Sequence, residues 1–307
     1  MGKNDKTDIG EFFAIFIMGL FFVIIHILAL IFTGTFQDAG MEAFEDKESV
    51  FNIVYILVIM LVFTLAILII AKYWKKQVIQ LVILGAIGYT CFYVLYPLFD
   101  IALLTVASLF LSIICSIVLI FVLVKYPEWY VIDICGIIVG AGAIAIFGIS
   151  LGVWLVLILL IVLAIYDAIS VYKTKHMIDL ADTVMDLKLP VLMVVPKIRH
   201  YSLIKETKSL KEKLKENEER DAFFMGLGDI VMPGILVVSL YTNVDNGLSL
   251  AFATLIGTLV GFAVLMVFVM KGRPQAGLPC LCGGAIAGYI ISSFVLFGEI
   301  KGLTFNF

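Results

Sequence analysis

The chain has 307 residues, of which 63% are hydrophobic and only 15% are charged, and its mean hydropathy is +1.14. A soluble domain carries roughly 25% charged residues, so the composition excludes a soluble globular protein and indicates one whose apolar surface faces a lipid bilayer. The formal net charge of -3 is small, and we expect no nucleic-acid partner.

Apolar segments of membrane-spanning length follow one another along the chain. A spanning helix needs about 20 mostly apolar residues, and that length predicts nine of them, at 11–33, 50–71, 77–96, 101–124, 130–148, 150–172, 222–243, 248–270 and 277–297. The first is longer than a signal-peptide core of roughly 7–15 residues, so we expect it to be retained. The predicted fold class is all-α, a polytopic membrane protein with about nine transmembrane helices.

The basic residues of the connecting segments indicate which way each helix runs. If the N-terminus is cytoplasmic, all 21 lysines and arginines except Lys47 and Lys301 lie on the cytoplasmic side. Basic residues concentrate in cytoplasmic loops, and one helix more or fewer would break the alternation. The sequence therefore predicts a cytoplasmic N-terminus and a C-terminus on the opposite side of the membrane.

The longest connection, 173–220, separates helices one to six in residues 1–172 from helices seven to nine in residues 221–307. We expect it to be a cytoplasmic loop that is partly flexible. Apolar residues recur at helical spacing over Met177–Leu187, which predicts a helix on the membrane surface. An apolar stretch bracketed by prolines follows at Leu189–Pro196. Lys205–Arg220 is rich in Lys and Glu and is predicted to be a tether or a solvated helix. The apolar stretch has two interpretations, a loop resting on the membrane or a strand edge for an extended peptide.

Acidic residues inside apolar segments are costly, by about 3 kcal/mol or more at the centre of a span. Glu11, Asp100 and Asp133 lie near predicted helix ends, where each can reach headgroups or water, and we interpret them as structural. His26, alone in the first helix, has the same interpretation. The five cysteines are interpreted as small apolar fillers of helices, without the spacing of a zinc site: Cys91, Cys115, Cys135, Cys280 and Cys282.

Asp167 and Asp229 lie deeper than the other acids. Asp167 is about six residues before Lys173, and Asp229 is about nine residues after Arg220. At a rise of 1.5 Å per residue, their depths below the same membrane face are roughly 9 and 13 Å. Helices six and seven run in opposite directions, so both carboxyl groups are predicted to lie in one layer of the membrane.

Two neighbouring carboxyl groups are suited to hydrolysis without a metal or another cofactor. Because like charges a few ångströms apart do not both ionise readily, the pair shares one proton. The ionised member can activate a water molecule while the protonated member donates to a carbonyl oxygen. No histidine is placed with a buried nucleophile to form a competing site: the histidines are His26, His176 and His200.

The sequences around the two aspartates resemble a known family. Tyr166-Asp167 and Gly226-Leu227-Gly228-Asp229 resemble the motifs of the presenilin and signal peptide peptidase family, whose members are GxGD-type intramembrane aspartyl proteases, and the chain looks like a compact prokaryotic or archaeal homologue. The resemblance implies a presenilin-like fold and a catalytic pair formed by Asp167 and Asp229. It also implies supporting roles for Tyr166, Gly226, Leu227 and Gly228.

That family also carries a Pro-Ala-Leu-Pro motif at the start of its ninth helix, near the active site. The matching residues are Ala276, Gly277, Leu278 and Pro279. Leu278 and Pro279 agree with the motif, whereas Ala276 and Gly277 depart from its first two residues. The resemblance implies that these four residues support the active site.

The resemblance implies peptide-bond hydrolysis within transmembrane helices of membrane-protein substrates or signal-peptide remnants, with the lipid bilayer as the other partner and a homo-oligomer left open. A proton- or cation-coupled transporter or channel is the alternative, since such proteins also use buried aspartates. A prepilin-type aspartyl peptidase shares the Gly-x-Gly-Asp element but has fewer spans. A non-enzymatic scaffold leaves the two acids unexplained.

Overall fold

The computed structural model describes residues 4–73, 76–101, 103–174, 191–198, 201–204, 221–271 and 275–303. Within them the chain forms nine α-helices: α1 Asn4–Asp38, α2 Phe51–Tyr73, α3 Lys76–Asp100, α4 Thr105–Lys125, α5 Trp129–Ser150, α6 Val153–Ile169, α7 Leu227–Asn243, α8 Leu248–Met270 and α9 Gly277–Phe297. A π-helical turn, Ser170–Thr174, extends α6. Two short strands, β1 Leu192–Pro196 and β2 Ala222–Gly226, pair antiparallel between α6 and α7.

Seven helices in the described part of the chain are long and apolar enough to cross a membrane: Gly10–Asp38, Gln80–Asp100, Thr105–Lys125, Trp129–Ser150, Val153–Tyr172, Leu248–Met270 and Gly277–Phe297. The apolar stretches Phe51–Phe63 of α2 and Leu227–Asn243, which is all of α7, are shorter. Each predicted spanning segment overlaps one of the nine helices over most of its length. The predicted all-α, multi-pass membrane fold is therefore confirmed.

The seventh predicted helix is wrong over its first five residues. Residues 222–243 are apolar throughout, but Ala222–Gly226 is extended and α7 begins only at Leu227. Because β1 supplies a partner for this stretch, its backbone groups are paired in a sheet instead of a helix. The depth predicted for Asp229 assumed nine helical residues after Arg220. That assumption is wrong because Ala222–Gly226 is extended, and extended residues advance about 3.3 Å each instead of about 1.5 Å.

Helix α7 lies at the centre of the helix bundle, where it packs against α1, α5, α6, α8 and α9. Most of its side chains are buried. Its approach to α5 requires glycine: a Cβ at Gly148 would lie 2.4 Å from Cβ of Val238, and one at Gly234 would lie 2.5 Å from Cδ1 of Ile144. Small residues let helices pack closely in lipid, where dispersion contacts drive their association.

The two strands bring the α6–α7 connection back to the bundle. Leu192 pairs with Gly226, and Val194 pairs with Phe224. Within Leu189–Pro196, the residues Leu192–Pro196 form a strand whose observed partner is β2 of the same chain, and the predicted pairing of this stretch with an extended peptide stays a prediction. The predictions for Met177–Leu187 and Lys205–Arg220 lie outside the described residues.

Candidate active site

Asp167 lies in the last turn of α6 and is 4% exposed. The backbone N–H of Leu278 donates a hydrogen bond of 3.1 Å to its Oδ2 atom, and the backbone of Gly277 interacts with the same carboxyl group. Both donors belong to the first turn of α9, where N–H groups have no partner within the helix. The positive end of the helix dipole therefore faces the Asp167 carboxyl group.

Asp229 lies in the first turn of α7, directly after β2. Its carboxyl group is bordered by two glycines: a Cβ at Gly226 would lie 3.4 Å from Oδ2 of Asp229, and a Cβ at Gly277 would lie 2.8 Å from the same atom. The Asp229 carboxyl group also interacts electrostatically with that of Asp167. Gly277 therefore lies beside the carboxyl groups of both aspartates. The structure also brings together the two acids that were predicted to share one layer of the membrane.

The first turn of α9 has the residues that this arrangement needs. Ala276 is buried and extended at the N-cap, so α9 begins at Gly277. Pro279 is the third residue of the helix, where its missing N–H breaks no helical hydrogen bond and its fixed φ suits the helix. Leu278, just before the proline, keeps its free N–H for Asp167. The four residues matched to the Pro-Ala-Leu-Pro motif therefore lie at the aspartate pair.

The other predicted supporting residues differ in their positions. Leu227 is buried against α5, and its N–H donates to the carbonyl of Val191 at 2.9 Å. Gly226 ends β2 beside Asp229, whereas Gly228 is exposed and a Cβ there would meet nothing within 4 Å. The side chain of Tyr166 is 63% exposed, which leaves it on the outside of α6 and not buried with Asp167.

One link between α6 and α9 was not predicted. The hydroxyl of Tyr172, in the π-helical turn after α6, donates a 2.8 Å hydrogen bond to Oε1 of Gln275, just before α9. It joins the same two elements as the Leu278–Asp167 bond. Neither residue stands out in the sequence, although both lie within a few positions of the motifs.

The interpretation of Asp133 as an acid that reaches headgroups or water is wrong. Its side chain is 2% exposed, and its Oδ1 atom accepts a hydrogen bond of 2.8 Å from the backbone N–H of Val194 in β1. The closeness of β1, which cannot be read from the sequence around residue 133, is the reason for its burial. Glu11, by contrast, forms a salt bridge with Lys197 at the end of β1.

Within the described residues, no three His, Cys, Asp or Glu side chains are grouped so that they could hold a metal ion. The five cysteines are free thiols. What the site does contain is two interacting carboxyl groups, helix N–H donors to one of them and glycines bordering the other. This is the arrangement expected of a pair that handles a water molecule and one shared proton.

The sequence from residue 18 to residue 299 matches the profile of the family described as signal-peptide peptidase, presenilin aspartyl protease. The chain belongs to this family. It is an intramembrane aspartyl protease, as the aspartate pair within a helix bundle led us to expect. A comparison with curated proteins finds no match.

Two solved structures similar to this member of the family are both described as a presenilin family intramembrane aspartate protease, in different crystal forms. The first, in space group P2, is 36% identical, with a TM-score of 0.68 over 91% of this chain and 96% of the other. The second, in space group C222, is 34% identical, with a TM-score of 0.65 over 89% of this chain and 94% of the other. Both similarities extend over about nine tenths of this chain, and the family match over residues 18–299 includes both aspartates.

Proposed function

We propose that Asp167 and Asp229 are the catalytic pair with which this protease hydrolyses peptide bonds in transmembrane helices of its substrates. The observation that carries this proposal is the position of Gly277: it borders the carboxyl group of Asp229, and the backbone beside it donates to Asp167. One turn of α9 therefore binds the carboxyl group of Asp167 and lies against that of Asp229. Two carboxyl groups that are held in a defined geometry beside the substrate lower the barrier to reaction, because they need not be brought into position first.

The pair would act as a single acid–base unit. Its ionised member removes a proton from a water molecule, whose oxygen attacks the scissile carbonyl carbon, while its protonated member donates a proton to the carbonyl oxygen. In the second step a hydroxyl of the tetrahedral intermediate gives its proton to the aspartate that is now ionised, the C=O bond re-forms and the C–N bond breaks, and the other aspartate donates the proton it took from water to the leaving nitrogen. Every proton comes from the water or the aspartate pair, so the reaction needs no cofactor.

A helical substrate hides its carbonyl groups in hydrogen bonds, so it must become extended before water can attack. The β1–β2 sheet ends at Gly226, three residues before Asp229. An extended segment that adds to a sheet edge is held by backbone hydrogen bonds, whatever its side chains. We infer that the sheet holds the opened substrate beside the aspartates, which suits both membrane-protein segments and signal-peptide remnants.

We also propose that the N-terminus and the aspartate site lie toward the cytoplasm, with the C-terminus on the opposite side. The support is the distribution of lysine and arginine, all but two of which fall on one side of the predicted helices. The domain limits at 173–220 and a homo-oligomeric state stay predictions. Labelling of one cysteine added near the N-terminus of a variant whose five native cysteines are replaced by serine, in intact spheroplasts against lysed ones, tests the orientation.

The proposed chemistry is tested with purified protein in liposomes that contain a labelled single-span substrate. A hydroxyl-bearing transition-state mimic resembles the tetrahedral intermediate and should block cleavage completely. The same liposomes, loaded with a pH- or cation-sensitive dye, report on ion flux. Substrate-dependent flux without any cleavage would contradict the proposal in favour of a transporter.

A further inference from the structure

The buried acid Asp133 is not explained by the catalytic pair. It is the fifth residue of α5, and its Oδ1 atom accepts the Val194 N–H at 2.8 Å. Its Oδ2 atom is buried and has no hydrogen-bond partner among the described residues. An ionisable side chain kept at such a position at a cost of several kcal/mol is a candidate for function.

The backbone register shows which edge of β1 this carboxyl group meets. The N–H of Leu227 donates to the carbonyl of Val191, and the N–H of Lys197 donates to the carbonyl of Asp221. Alternate residues of an antiparallel strand direct their N–H and C=O groups to opposite sides. Val191, Met193, Val195 and Lys197 therefore face β2, while Leu192, Val194 and Pro196 face the outer edge.

Little of the outer edge of β1 remains available to another strand. The N–H of Val194 already donates to Asp133, and Pro196 has no backbone N–H that could donate to another strand. Helix α5 also lies against this strand, since a Cβ at Gly136 would be 2.9 Å from the sulfur of Met193. Asp133 and Gly136 are one turn apart, so a single face of α5 covers β1.

The outer edge of β2 is different. By the same alternation, Ala222, Phe224 and Gly226 pair with the outward-facing residues of β1 and direct their own N–H and C=O groups away from it. This edge ends at the residue that borders the Asp229 carboxyl group. An extended peptide that adds here would therefore be led directly to the aspartate pair.

A second carboxyl group of the same region reinforces the attachment of β1. Glu128, just before α5, accepts hydrogen bonds of 2.6 Å from the hydroxyl of Ser202 and 3.1 Å from the N–H of Leu203. The start of α5 thus holds the segment after α6 at two points. Val194 itself is buried in a cluster with Ile132 and Leu203.

We propose that Asp133 is a positioning residue for proteolysis. It holds β1 against α5 and blocks the outer edge of that strand. Of the two sheet edges in the described part of the chain, a substrate therefore adds to the outer edge of β2, in register with the aspartates. The proposal rests on the proposed catalytic pair and substrate strand, but it concerns a residue that touches neither the water nor the scissile bond.

The test compares wild type with Asp133→Leu, which removes the acceptor, Asp133→Asn, which keeps a carbonyl acceptor at the same place, and Val194→Pro, which removes the donor. Asp100→Leu is the control, because it removes an exposed acid at the end of α3. Each protein is reconstituted with a single-span substrate. Three quantities are measured: kcat and KM, the positions of cleavage by mass spectrometry, and the affinity for a short transition-state mimic that reaches only the aspartates.

We expect Asp133→Leu and Val194→Pro each to lower kcat/KM by about tenfold or more and to spread the cleavage positions, because a misplaced substrate reacts slowly and at several bonds. Combining them should add little, since both remove one interaction. Asp133→Asn should keep most of the activity and the wild-type cleavage positions. Binding of the short mimic should stay within about twofold in every variant, which also shows that each is folded.

Unchanged cleavage positions and kcat/KM in Asp133→Leu would overturn the proposal. The proposal would also be overturned if Asp133→Leu and Asp133→Asn each lost binding of the mimic. Asp133 would then support the aspartates or the fold instead of the substrate edge. A wild type that neither cleaves nor binds the mimic would instead contradict the catalytic pair, so the two failures are distinguishable.

Discussion

The backbone N–H of Leu278 donates to Oδ2 of Asp167 across a sequence separation of 111 residues. The bond joins the end of α6 to the beginning of α9, and Gly277 beside it borders the carboxyl group of Asp229. Three helices that are far apart in the chain therefore meet within one turn. The precision of the site depends on this turn as much as on the two acids.

The size of the residue at position 277 should govern activity. A Cβ at Gly277 would lie 2.8 Å from Oδ2 of Asp229, so the carboxyl group would have to move. The family motif has Ala at this position, and we expect Gly277→Ala to be tolerated with a small shift. Gly277→Val adds two methyl groups to that contact and should lower kcat by about 100-fold, as misplaced catalytic groups do.

The matched control for that series is Gly283→Val on the same helix. A Cβ at Gly283 would meet nothing within 4 Å, so this change carries the same helix-propensity effect without the steric one. Initial rates of cleavage are measured for all three variants. Equal losses at positions 277 and 283 would mean that a bulky side chain anywhere on α9, and not displacement of Asp229, causes the effect.

Packing between α5 and α7 should depend on Gly148. A Cβ at this position would lie 2.4 Å from Cβ of Val238, and overpacking of this kind costs about 1–3 kcal/mol. We expect Gly148→Ala to lower the free energy of unfolding by that amount in mixed micelles titrated with SDS. Gly85→Ala, where a Cβ would meet nothing within 4 Å, should be neutral or slightly stabilising.

The outer edge of β2 should be needed for binding of substrates but not for binding of ligands that reach only the aspartates. Phe224→Pro removes an N–H that is directed away from β1, so the β1–β2 ladder loses no hydrogen bond. We expect a fall of about tenfold in kcat/KM for a single-span substrate, with unchanged affinity for a short transition-state mimic. Phe224→Leu keeps the N–H and serves as the control; if it were equally impaired, the side chain would be responsible.

The helices were predictable from sequence because apolar length and the alternation of basic residues are direct consequences of the bilayer. The sheet was not, since Ala222–Gly226 continues without a break into the apolar α7 and its partner strand lies about 30 residues earlier. For the same reason the burial of Asp133 beside β1 could not be foreseen. Asp167 and Asp229 were found from their depth in adjacent predicted helices and from the motifs around them, whereas the outward position of Tyr166 depends on how α6 is rotated in the bundle.

The central claim is that Asp167 and Asp229 act together on the substrate. The most direct measurement is single-turnover cleavage of a labelled single-span substrate by wild type, Asp167→Asn and Asp229→Asn in the same liposomes, with Asp100→Asn as the control for an exposed acid. An amide can neither take up nor share the proton, so both site variants should lose cleavage by at least about 1000-fold, while the control keeps the wild-type rate. Cleavage at the wild-type rate in either Asp167→Asn or Asp229→Asn would contradict the account.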